Sequence, residues 1–398
     1  MTTGTAAPQR GRLRGATRFT GVDAARGLAL LGMMGTHLLA RTSADGSTTL
    51  AYVLADGRAS ATFALLAGAG LALADGGAGR PRVPYGHMVA RNAVRAAAVL
   101  VLGLTLATLS PPVAVILQYY AVLFVLVAPL VRLPPLVLGG AGLAWFALSP
   151  FASHWLRDTF ALFGPNAQVG LEVLLLRPQQ AVTDLLLTGY YPVLTWFGYL
   201  LLGAGVGRLA LTKAPVAGAL LTGGAALGVA SWLLSAWLLR LPSAQDALAA
   251  GDALTGRGVP GPWFGTTPTG SWWWLAIRTP HSGAPLDLLG TAGVALAVVG
   301  GCLLLARTRG GAALLLPLAA AGSMTLTLYS GHVVAVWLGL PAEQGLAVWL
   351  SHAVVAVVLA TLWRLRFRRG PLEEGVAQVV DAVAGPVPPR EVAAPGSR

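Results

Sequence analysis

Apolar residues in this chain arrive in runs of about twenty, each closed by glycine, proline or arginine. A helix rising 1.5 Å per residue needs about 20 residues to cross a hydrocarbon core of roughly 30 Å. The pattern predicts ten spans, near 22–40, 58–75, 93–109, 112–131, 134–152, 190–207, 214–239, 285–306, 312–338 and 344–364. The predicted fold class is therefore all-α, a polytopic transmembrane helix bundle. Three parts follow: a basic tail over 1–18, a membrane domain over 19–370, and a tail over 371–398. That second tail ends in VPPREVAAPGSR, polar and proline-containing, and reads as disordered. Small residues such as Gly68, Gly203 and Gly224 recur inside the runs, where they let helices approach closely.

The first run breaks the apolar rule. Over RFTGVDAARGLALLGMMGTHLLA it carries Asp23, Arg26 and His37, and ionisable groups inside a span face protein or a water-filled cavity. Eleven helical steps of about 100° separate Arg26 from His37, so both point to one face, about 16 Å apart along the axis. Asp23 lies three residues before Arg26, close enough to pair with it. A guanidinium so held suits an anion such as phosphate, whose oxygens match its donors two at a time. The imidazole has the intrinsic pKa of a base that works near neutral pH.

Composition agrees with a membrane protein: 55% of residues are hydrophobic, 11% charged, and mean hydropathy is +0.69. The net charge of +12 comes from loop arginines rather than a nucleic-acid face. With the N-terminus placed in the cytoplasm, basic residues concentrate in the loops on that side, ending with Arg364, Arg366, Arg368 and Arg369. The positive-inside rule then puts both termini in the cytoplasm of a multi-pass cell-membrane protein. Cys302 is the only cysteine, which excludes an intrachain disulfide. Neither a Walker A motif, nor G-x-S-x-G, nor H-E-x-x-H occurs, and no spacing suggests a metal site.

Other polar positions fall at the span ends. Arg91 and Arg95 share the cytoplasmic side with Arg26, while Asp56 and Arg58 open the second span on the outer side. Gln118, Tyr119 and Tyr120 cluster in the fourth span, and Tyr190 and Tyr191 open the sixth. His332, with Thr325 and Tyr329 on its face, lies at a depth similar to His37, and His281 stands on the outer loop before span eight. His352 reads as structural, and His87 and His154 offer no signal. The long outer segment 240–284 holds Trp263, Trp272, Trp273 and Trp274, either an interfacial belt or a lid whose rings stack on a sugar.

VDAARGLALLGMMGTH resembles the opening of the catalytic domain of heparan-alpha-glucosaminide N-acetyltransferase and its bacterial relatives. Its Arg-x10-His spacing looks like that of the integral-membrane acyltransferases. The resemblance extends to DGRASATFALLAGAGLAL, VILQYYAVLFVL, TGYYPVLTWFGYLLLGAGVGRL and GSMTLTLYSGHVV. It implies transfer of an acyl group from cytosolic acetyl-CoA or another acyl-CoA to a glycan or glycolipid acceptor outside, without a metal. Carried over, His37 is the base or transient acyl carrier, a role that His332 or His281 could share, and Arg26 contacts the acyl-CoA beside Asp23, Arg91 and Arg95. Arg58, Gln118, Tyr190, Tyr191 and His281 are the candidate acceptor contacts. One departure is that the histidine lies inside the first helix rather than in the loop after it. Partners expected are membrane lipid and the acceptor, with no nucleic acid, and a homo-oligomer is left open. The rival reading is a transporter or flippase for a lipid-linked or anionic small molecule.

Overall fold

The structure, a computed structural model, describes residues 20–43, 45, 47–78, 83–162, 168–255, 263–340 and 345–387. The basic tail 1–18, together with Arg80, Arg82 and Arg257, lies outside the described residues, as do 388–398 of the C-terminal tail. Among the described residues the chain is all-helical, apart from one isolated bridge between Thr42 and Thr48.

Six stretches are long and apolar enough to cross a membrane. They are α2 with α3 (Leu50–Ala55 and Arg58–Ala74), α4 (Tyr85–Thr108), α6 (Pro135–Thr159), α10 (Ala214–Leu238), α12 (Pro285–Leu305) and α15 (Leu346–Arg366). Two bent pairs raise the number to eight at most, whereas α7 (Leu171–Leu176) and α11 (Pro242–Thr255) are too short to cross. In one bent pair, α8 (Pro178–Thr183) and the π-turn Asp184–Thr188 meet α9 (Val193–Gly207) at 52°; in the other, α13 (Arg309–Gly322) meets α14 (Thr325–Trp337) at 65°. The expectation of ten spans is therefore corrected to between six and eight.

The reason lies in the elements that drop out. The first run forms α1 (Thr20–Leu38), but its polar residues leave it short of the apolar character a lipid-facing helix needs. It has no need of that character, because α2, α3, α12, α13, α14 and α15 all pack against it. The fourth run was expected to span 112–131. Its helix α5 starts only at Leu117 and ends at Val127, about 16 Å of rise, because Pro111 and Pro112 hold the preceding chain out of a helix.

Close backbone contact locks this bundle. A Cβ at Gly203 of α9 would run into the Leu65 carbonyl of α3, and one at Gly68 of α3 into the Leu200 carbonyl of α9. The two glycines thus let α3 and α9 touch along their backbones. Gly223 meets nothing, so it has no such role.

Two further expectations change. The C-terminal tail is helical over α16 (Pro371–Ala384), not disordered from 371. Val380 is buried, and Glu373 accepts from the Leu326 and Thr327 N–H groups and the Thr327 hydroxyl at 2.7, 3.2 and 2.6 Å, pinning α16 to the start of α14. In the tryptophan-rich loop, Trp263 and Trp274 pack edge to face at 5.1 Å in a small separate core with Leu248 and Ile277. These two are therefore not at the surface, whereas Trp272 remains exposed.

Candidate active site

Membrane helices satisfy their own backbone groups, so a break in one must be met by protein or water. Here the breaks converge on two cavities at opposite ends of α1.

The first, of about 400 Å³, opens around Arg26. Arg91 and Arg95 of α4, Arg369, and Glu373 of α16 stand in its wall, with Ser323 and Thr325 from the break between α13 and α14. Its apolar side is Phe63, Leu117, Tyr120 and Phe124. Arg26 donates to the Asp23 carboxylate and to the Leu66 carbonyl, both at 3.3 Å. Asp23 therefore orients Arg26 and does not itself line the cavity. Arg91 pairs with Asp381 of α16 at 2.7 Å.

The second, of about 570 Å³, opens around His37. The broken run before α5 supplies Pro111, Pro112, Val113 and Ala114, and the break before α9 supplies Tyr190 and Tyr191. Gln168 repairs the first break: its side chain accepts from Val115 N–H at 2.9 Å and donates to the Pro111 and Val113 carbonyls at 2.9 and 2.8 Å. Arg41, Tyr52, Asp56, Phe264 and His281 complete the wall. Asp56 is 5% exposed and lies 3.4 Å from His281 Nε2 and 3.6 Å from Arg41. Burial pulls the His281 imidazole down, yet the Asp56 hydrogen bond and the charges of Asp56 and Asp287 outweigh it, and its pKa is raised above 6.5. Such a group keeps a proton where an ordinary histidine begins to lose it.

His37 is joined to His332 of α14, Nδ1 to Nε2 at 3.1 Å, so the two residues set at similar depth by sequence do meet. Gln118 and Arg58 were expected at the acceptor site, but neither lines either of these two cavities. The Gln118 amide is buried with no protein partner, and Arg58 turns back onto the Asp56 carbonyl at 3.2 Å.

Although Arg26 and His37 share one helix face, their cavities have no lining residue in common and are divided at Tyr329. Its ring lines the Arg26 cavity. The hydroxyl accepts from Ile116 N–H at 3.2 Å and donates to the carbonyl of Ala114, a residue of the His37 cavity, at 3.4 Å. Tyrosine fills this layer because it offers bulk to the cavity and a hydroxyl to the broken backbone.

Sequence reasoning missed Arg41, Tyr52, Gln168, Phe264, Arg369 and Glu373. Arg41 and Tyr52 form a cation–π pair at 4.3 Å, which no local spacing announces. Glu373 was hidden by reading its segment as a tail. His352, read as structural, lies 3.1 Å from His332. Among the described residues no group of three His, Cys, Asp or Glu is arranged to hold a metal ion.

An arginine cavity and a histidine cavity, end to end along one largely buried helix, define a multi-pass membrane protein with two chambers divided at one tyrosine. The family model of the heparan-alpha-glucosaminide N-acetyltransferase catalytic domain matches residues 18–238, more than half of the chain, and the chain belongs to that family. A second model, for a family of unknown function (DUF418), matches residues 258–379. Both cavities draw walls from both regions: Arg26 and His37 from the first, Arg369 and His281 from the second. Among curated proteins nothing matches the chain.

Proposed function

We propose that the protein is a membrane acyltransferase that takes an acyl group, acetyl in the first instance, from cytosolic acyl-CoA and passes it to a hydroxyl or amine of an extracytoplasmic glycan or glycolipid. The observation that carries this reading is the placing of Arg26 and His37 in two chambers at opposite ends of α1. With α1 and α5 counted as crossings enclosed within the bundle, the arginine bias of the loops favours a cytoplasmic Arg26 chamber and cytoplasmic termini.

In this reading Arg26, Arg91, Arg95 and Arg369 hold the phosphates of acyl-CoA. Arginine suits that task because its rigid fork gives two parallel bonds to one phosphate. The pantetheine arm runs past Phe63 and Tyr120 and displaces Tyr329 to enter the His37 chamber. There the acceptor rests against Tyr190, Tyr191 and Phe264, whose rings suit the apolar face of a sugar. His37 removes the proton from the acceptor hydroxyl or amine as the new O–C or N–C bond forms. The thioester C–S bond breaks, and the proton on His37 passes to the leaving thiolate. His281, whose hold on its proton Asp56 strengthens, faces the negative charge that develops on the carbonyl oxygen.

The test is incubation of the purified full-length protein in nanodiscs with labelled acetyl-CoA and a panel of amino sugars and glycolipids. Acceptor-dependent transfer is expected, and His37→Ala should lower it about 10²- to 10⁴-fold, the range of a general base. Transfer unchanged in a folded His37→Ala variant would overturn the assignment. Broken helices around polar cavities are also how transporters build their sites. Movement of a ligand across the nanodisc bilayer without acyl transfer would favour that second reading.

A further inference from the structure

Three histidines from three helices stand end to end. His37 Nδ1 is 3.1 Å from His332 Nε2, and His332 Nδ1 is 3.1 Å from His352 Nδ1 on α15. Both ring pairs have centroids 5.3 Å apart, with planes at 8° and 89°. At that separation, N···N contacts this short put the rings edge to edge, as in-plane N–H···N bonds require, rather than face to face. His332 shows a different nitrogen to each neighbour, so no single ion could be held by all three. Among the described residues no other group bonds His37 Nε2, the nitrogen left to the outer chamber.

A neutral imidazole has one N–H and one lone pair, so the two contacts bind three tautomers into one choice. In the first arrangement His352 accepts at Nδ1 from His332, which accepts at Nε2 from His37 Nδ1–H. This leaves the His37 lone pair on Nε2, turned to the chamber. In the second every bond is reversed, and His37 presents an N–H that cannot take a proton. Only the first serves a base. When His37 takes up a proton at Nε2, its Nδ1–H already points at the His332 lone pair, so the imidazolium is stabilised without rearrangement.

We infer that His352 is a positioning residue which, acting through His332, holds His37 in the tautomer with its lone pair on Nε2. The catalytic half of this inference rests on the acyltransferase reading, whereas the tautomer itself can be read without any activity.

The experiment uses full-length protein labelled with ¹⁵N-histidine, with the His37 signals identified by their loss in His37→Gln. In the wild type, Nδ1 of His37 should carry the proton at neutral pH. His352→Leu removes the acceptor and should lose that preference, with kcat lowered on the order of 10- to 100-fold, as for other partners that orient a working histidine, and KM for acetyl-CoA unchanged. His352→Asn places an amide oxygen where Nδ1 was and should restore both. A wild-type spectrum with the proton on Nε2 of His37 would overturn the inference without any variant. So would a folded His352→Leu protein with wild-type kcat and an unchanged spectrum. If no form transfers an acyl group while the spectra shift as described, the positioning role is supported and the acyltransferase reading fails.

Discussion

Arg26 is the residue whose role can be worked furthest in numbers. Its guanidinium has five N–H donors in a planar fork, and two are engaged by Asp23 and Leu66. Three remain for a ligand in the cavity. Replacing it by lysine keeps the charge and the pairing with Asp23, so the fold should persist, but the fork is lost. A hydrogen bond to a charged group contributes about 1.5–3 kcal/mol, and loss of one such bond weakens acyl-CoA binding by about 10- to 150-fold at 1.4 kcal/mol per decade. Thermal unfolding reads this directly. A ligand at 100 times its Kd stabilises the folded state by about 2.7 kcal/mol, and one weakened 100-fold, at the same concentration, by about 0.4 kcal/mol. Acetyl-CoA at 100 times the wild-type Kd should therefore raise the wild-type midpoint clearly and leave Arg26→Lys almost unmoved. Because this binding acts equally on ground and transition states, KM should rise while kcat holds. If Arg26→Lys binds acetyl-CoA as tightly as wild type, the arginine chamber is not the donor site.

Two further outcomes test the frame around the site. His281, with its folded pKa above 6.5, favours the folded state when protonated. Its contribution is full below the unfolded value near 6.5 and is lost as pH rises through the raised folded value, so the midpoint should fall over that window. In Asp56→Asn that slope should flatten, with the deficit largest on the acid side; an identical pH profile would refute the pairing. Glu373→Ala strands the Leu326 and Thr327 donors that the carboxylate now serves. It should cost about 1–3 kcal/mol and speed hydrogen exchange across α16 first, and uniform loss of protection would contradict α16 being pinned there.

Arg26 and His37 were legible as a pair because helical periodicity alone puts them on one face, but the structure sets them in two separate cavities rather than one. The meeting of His37 with His332 was foreseen only as a shared depth. Two residues 295 apart carry no local signal of contact, and His352 carried none at all. The expectation of ten spans failed at α1 and α5 for a different reason at each. Length and hydropathy count residues able to cross lipid, whereas α1 is enclosed by six other helices and α5 is replaced over its first residues by backbone bonded to Gln168 and Tyr329.

From the sequence alone came the membrane class, the helical fold and the first helix as the bearer of Arg26 and His37 on one face. Each depends on composition or on neighbours within a few turns, where the geometry of one helix is already decisive. Tertiary structure alone decided that the polar path is two chambers divided by Tyr329, that α16 closes one of them, and that three histidines join. Those facts depend on which helices are interrupted and what repairs each gap, and long-range packing settles that, not any periodicity.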